Sequence, residues 1–75
     1  MKRKRMHGTV EKVIALPGQP EKAQIAIKEA EPLYREVRVE NVITDDNGEA
    51  SRLKVGGKID VILEADTDAT MKKPA

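Results

Sequence analysis

Hydrophobic and polar positions alternate through this chain in short runs that proline and glycine interrupt, the signature of brief half-buried strands and not of amphipathic helices. The first run, Met6 to Leu16, carries Val10, Val13, Ile14 and Leu16, whose phase changes once; that change predicts a bulge or bend in the strand. Leu16-Pro17-Gly18-Gln19-Pro20 must then be a connection, because two prolines and a glycine cannot sustain a ladder. A second run, Lys22 to Glu29, sets Ala23, Ile25 and Ile27 on one face and Gln24, Ala26 and Lys28 on the other. After the break at Glu31-Pro32, a third run from Tyr34 to Val42 points Val37 and Val39 one way and Glu36, Arg38 and Glu40 the other. The last run, Lys58 to Ala65, places Ile59, Val61, Leu63 and Ala65 on a buried face, with Ile62 on a rim.

Between the third and last runs the pattern is ambiguous. Asn47-Gly48 is a strong hairpin dipeptide, since both central positions of the tight turn need positive φ. Asp46 and Glu49 instead have the spacing of a capping box. No apolar alternation follows Gly48 before Leu53, so the reading favoured is a short helical turn, followed by a tight turn at Leu53-Lys54-Val55-Gly56-Gly57-Lys58. The large aliphatics, 7 Val, 6 Ile and 4 Leu, lean toward β-branched side chains that suit a pleated surface. Together these elements predict an all-β, mainly antiparallel protein: a small five-stranded barrel of the OB or SH3-like kind with one short helical turn. Its parts would be a flexible basic arm over residues 1–5, a barrel domain over 6–65 and a disordered polar tail over 66–75.

Composition narrows the function more by exclusion than by assignment. With 75 residues there is room for one small domain, and a large enzyme with a deep cleft is not expected. The absence of cysteine removes disulfide scaffolds, thiolate zinc sites, iron–sulfur clusters and thiol nucleophiles. Lys and Arg number 14 against 13 Asp and Glu, so cationic binding to nucleic acid must be local and not a property of the whole surface. Met1-Lys2-Arg3-Lys4-Arg5 resembles the charged start of a signal peptide, yet Gly8, Glu11 and Lys12 interrupt any apolar segment after it. No run is long enough to cross a bilayer, and a cytoplasmic location with no membrane partner is expected.

The inventory for catalysis is poor. His7 is the only imidazole and stands beside the basic segment, where a surface role is expected. No spacing links it to Ser51 or a threonine and a carboxylate as a nucleophilic triad requires. The oxygen-rich run Asp45-Asp46-Asn47-Gly48-Glu49 fails as a helix–loop–helix calcium site, because Ile43 stands where the first ligand belongs. Neither an enzyme nor a metal or cofactor site is expected. Glycines Gly56 and Gly57 could offer backbone N–H groups to an anion, although such a pair more commonly just makes a turn.

Binding is the remaining chemistry. Lys2, Arg3, Lys4 and Arg5 form a cationic segment suited to phosphates, and Tyr34 with Arg35 and Arg38 forms a minimal stacking platform for RNA or single-stranded DNA. Glu36 and Glu40 interleave that platform and dilute its field. A third expectation is a structural interaction module whose outer strand pairs with another protein or with itself, since 17 large aliphatics make a thin core.

One family resemblance bears on these readings. Gly8-Thr9-Val10, Val13, Gly18, Ile25 with Ile27, and the closing segment from Leu53 through Gly56 and the alternating aliphatics to Ala65-Asp66 resemble the TOBE and Mop-type small OB-like barrels. The resemblance implies a barrel that binds a small oxyanion such as molybdate, commonly in oligomers. It would put Lys54, Gly56, Gly57 and Lys58 at the anion. The chain departs from that pattern where Asp45, Asp46 and Glu49 bring negative charge to a region that is Thr- or Ser-rich in Mop-type proteins. The function expected first is a non-catalytic module that binds nucleic acid or a ribonucleoprotein weakly, with oxyanion binding and protein interaction as the alternatives.

Overall fold

A computed structural model describes residues 1–74. It is mostly antiparallel β: a curled four-stranded half-barrel, built from β1 (Lys2–Ile14), β2 (Lys22–Ile27), β3 (Glu36–Glu40) and β6 (Lys58–Ala65), plus a small hairpin of β4 (Ile43–Thr44) and β5 (Ala50–Ser51). The spatial order of the large sheet is β3-β2-β1-β6. Its edge strands β3 and β6 are not paired with each other.

Strand β1 organises the molecule. Its later part, Gly8 to Ile14, pairs with β2, while its earlier part, Lys2 to Thr9, pairs with β6 in unbroken register. The two partners therefore overlap only around Gly8 and Thr9, and the β1–β6 ribbon runs on beyond the end of β2. The molecule is accordingly elongated, at 48 × 34 × 23 Å. The expected phase change is a register shift between Val10 and Lys12, with Glu11 as the extra residue.

Gly8 is required where the strands converge. A Cβ at that position would lie 2.8 Å from Ile25 Cγ2, 3.2 Å from Ile59 Cγ1 and 3.3 Å from Val61 Cγ2. The curl thus brings aliphatics from both flanking strands over a residue that has no side chain. Val10, Ala23, Ile25 and Ile27 form the fully buried apolar core. They share one face of the sheet with Met6, Val13, Val37, Val39, Ile59, Val61, Leu63 and Ala65. The expected inward set of β6 is only partly enclosed, since Leu63 is 61% exposed at the far end of the ribbon.

Three boundaries differ from the sequence reading. Lys2–Arg5 is laddered onto β6 where a flexible arm was expected, with Arg3 Nε 3.2 Å from Glu64 Oε1 and Arg5 Nε 3.6 Å from Asp60 Oδ2. Cross-strand carboxylates let a run of four cations enter a strand. The stretch after β3 is a hairpin, not a helical turn: the Asp45 carboxylate accepts N–H bonds from Asn47 and Glu49, both at 2.9 Å, and Gly48 takes φ +82°. The aspartate side chain supplies locally what a capping box would have supplied to a helix. The helical turns that do form are 3-10 turns at Pro32–Tyr34 and Thr67–Ala69, the second inside the segment expected to be a disordered tail.

Asn41 ties the hairpin to the sheet. It is buried, its Nδ2 donates to Glu21 Oε1 at 2.8 Å and to the Leu53 carbonyl at 3.1 Å, and its Oδ1 accepts the Leu53 N–H at 2.7 Å. One amide side chain thereby satisfies a passing backbone that has no strand partner of its own.

Candidate nucleic-acid interface

Strand alternation decides which charges can act together. Arg3, Arg5, His7 and Thr9 occupy the polar face of β1, opposite Glu64, Ile62, Asp60 and Lys58 of β6. Lys2 and Lys4 fall on the other face, across from Ala65 and Leu63, where with Arg3 they line a shallow cavity of about 190 Å³. The four cations at the start of the chain are therefore divided between two surfaces, and the two on the polar face are ion-paired.

The larger recess lies on the polar face where β1, β2 and β6 meet. It has a volume of about 460 Å³ and is lined by His7, Gly8, Thr9, Lys28, Lys58, Ile59 and Asp60. Lys58 Nζ donates to Thr9 Oγ1 at 3.3 Å. Neither Lys28 nor Lys58 has a carboxylate in ion-pair range among the described residues. Two cations without anionic partners thus flank β1 across one groove, on the face that Arg5 and Arg3 share farther along the strand beyond Asp60.

The corner after β2 is clamped to this groove. The Lys28 N–H donates to the His7 carbonyl at 2.8 Å, and Glu29 receives both the His7 backbone N–H, at 2.7 Å, and the ring Nδ1. The hydrogen bond from the imidazole is the largest influence on Glu29 and holds its carboxyl down at about 2, against 4.5 ordinarily. His7 is thus a structural anchor with its Nδ1 occupied. Thr9, the hydroxyl nearest in sequence, is engaged with Lys58. Among the described residues no group of three or more His, Cys, Asp or Glu side chains is placed to hold a metal ion.

The remaining candidates are spread out. Tyr34, 75% exposed, ends the 3-10 turn, and the Arg35 carbonyl accepts the Ile27 N–H at 2.8 Å. Both therefore sit beside the end of β2 from which Lys28 extends. Arg38 stands elsewhere: its Nε donates to Gln24 Oε1 at 2.9 Å, and Gln24 Nε2 donates to Glu11 Oε1 at 3.3 Å. That row crosses the sheet at the Lys12 level of β1, about 30 Å along the strand from Arg3. Arg38 does not join the ribbon cations.

The alternative anion site loses its backbone donors. The Gly56 N–H donates to the Val10 carbonyl at 2.8 Å and the Gly57 N–H to the Lys54 carbonyl at 3.0 Å, so the glycine pair makes a turn and the N–H groups are spent there. Of that set only Lys58 enters the groove; Lys54 does not line it.

Sequence reasoning missed Lys28, Thr9 and Glu29. The signal for Lys28 was present, since it continues the polar phase of β2 through Lys22, Gln24 and Ala26. The pairing of Thr9 with Lys58 required knowing that β1 and β6 are neighbours. No helix among the described residues is long and apolar enough to cross a membrane. Comparison with protein-family models, curated proteins and solved structures finds no match to this chain.

Proposed function

We propose that the chain is a non-catalytic binding module, an OB- or SH3-like barrel in its open form, that engages the phosphate backbone of RNA or single-stranded DNA weakly. The observation that carries this reading is the groove between Lys28 and Lys58, whose ammonium groups lack carboxylate partners, with the ion-paired Arg5 and Arg3 farther along the same face of β1. Alternate positions on a strand are about 7 Å apart, so this line of cations is longer than one isolated oxyanion and suits a chain of phosphates better. Tyr34 and Arg35, at the end of β2 beside Lys28, supply one exposed ring and one guanidinium for a base. With a single aromatic the contribution from stacking is small, and affinity rests on phosphate contacts.

The experiment is fluorescence anisotropy of a labelled uridine or thymidine oligonucleotide at several salt concentrations. Neutralising two phosphate contacts through Lys28→Gln with Lys58→Gln is expected to weaken binding and to reduce the slope of log affinity against log salt by about 1.4. Equal slopes for the parent and the double variant refute the assignment. Truncation of residues 2–5 is unsuitable, since it removes part of the β1–β6 ladder. Binding of molybdate or phosphate at the same lysines, with no oligonucleotide affinity, transfers the site to a small oxyanion.

A further inference from the structure

Strand β6 ends the sheet with an edge whose charges, Lys58, Asp60 and Glu64, all lie on the polar face and which otherwise lacks the common protections against pairing. It is eight residues long, pairs with β1 without a bulge, contains no proline and directs no charged side chain to the apolar face. Ile62 and Leu63 are exposed on its two faces. No turn or loop backbone among the described residues hydrogen-bonds to residues 58–65. The opposite edge, β3, is five residues long and carries Glu36, Arg38 and Glu40.

We infer that β6 pairs antiparallel with β6 of a second copy of this chain about a two-fold axis through Val61, joining two half-barrels into one continuous sheet. The sequence of the strand selects both partner and register. With the axis at Val61, Lys58 lies opposite Glu64 of the second copy and Glu64 opposite its Lys58, while Ile59 faces Leu63 in both directions and Val61 faces its own counterpart. Moving the axis to Ile62 sets Asp60 against Glu64 twice, and moving it to Asp60 sets that aspartate against itself. Like charges directly opposite each other disfavour both registers. A half-step slip puts the apolar face of one strand beside the polar face of the other. The axis at Val61 gives opposite charges in both outer rows of the polar face and aliphatics throughout the apolar face. Glu64 then stands between Arg3 of its own chain, at 3.2 Å, and the incoming Lys58. The pairing also gives the half-exposed apolar end of the ribbon a neighbour.

Sedimentation equilibrium on the full chain tests the inference, and nucleic acid is left out of it because Lys58 belongs to both the groove and the pairing. The expected result is a mass that rises with concentration from 8.3 kDa to twice that value. A single species of 8.3 kDa at all concentrations overturns the inference. Register is tested by mild oxidation in this cysteine-free chain: Val61→Cys is expected to form a covalent dimer and Leu63→Cys is not, and the reverse result overturns the register. Lys58→Glu, which sets like charges opposite each other twice in this register, is expected to weaken association about tenfold. Association unchanged by Lys58→Glu, with the circular dichroism of the parent retained, also overturns the register.

Discussion

Replacing Gly8 by alanine tests the convergence of β1, β2 and β6 with a single methyl group. An added Cβ meets Ile25 Cγ2 at 2.8 Å, closer than two such carbons approach in folded proteins, and meets Ile59 and Val61 at 3.2 and 3.3 Å. Ile25 is 5% exposed on a central strand, and its Cγ2 branches directly from Cβ, so the methyl moves only if χ1 or the backbone moves. Overpacking of this kind costs about 1–3 kcal/mol, while the lost freedom of the unfolded chain returns about 0.5–1 kcal/mol. The net expectation for Gly8→Ala is a loss of about 1.5 kcal/mol, or about 6–12 °C in Tm for a domain of this size. Urea denaturation followed by circular dichroism measures it, at one fixed protein concentration because any self-association couples to stability. Ile25→Leu moves the obstructing methyl one bond further out, and in that background the Gly8→Ala penalty is expected to fall by at least half. A neutral or stabilising Gly8→Ala, or a penalty undiminished beside Leu at position 25, refutes the packing argument.

Two further outcomes follow from the polar contacts. Glu29 has a folded pKa of about 2, below its ordinary value of 4.5, so the bond to His7 adds stability above pH 4.5 that is lost as the pH falls from there toward 2; Glu29→Gln is expected to flatten that part of the stability profile, and a carboxyl NMR titration reads the pKa directly. Asn41→Ala strands the Leu53 N–H and C=O and is expected to cost about 1–3 kcal/mol, with faster hydrogen exchange at the Leu53 amide as the local readout.

Alternation made much of the fold legible. The inward set Ala23, Ile25 and Ile27 and the bounds of β6 follow from period-two patterning, and the bulge follows from the phase change after Val10. Patterning failed where a side chain did the work of backbone. At Asp45 the carboxylate builds the hairpin turn, and polar residues on both sides of it carry no periodicity to betray the strands. It failed again at Lys2–Arg5, where four adjacent cations look unfit for a strand until Asp60 and Glu64 are known to stand opposite. The candidate site shared that fate. Lys58 was visible as a cation near a glycine pair, but its companionship with Thr9 and Lys28 depends on strand order, which no local spacing encodes.

The division of β1 between two partners also sets an order of assembly. Val10 and Ile25 close a nearby pairing across one connection, whereas Lys2 and Ala65 are about four times as far apart along the chain, which adds about 1.2 kcal/mol of loop-closure entropy. The β1–β2 pair is therefore the inexpensive nucleus and the ribbon the late addition. Until β6 arrives, Gly8 is covered from the β2 side alone and the cations at Lys2–Arg5 face no carboxylates. Closure of the ribbon buries the junction and neutralises half of that charge in a single event.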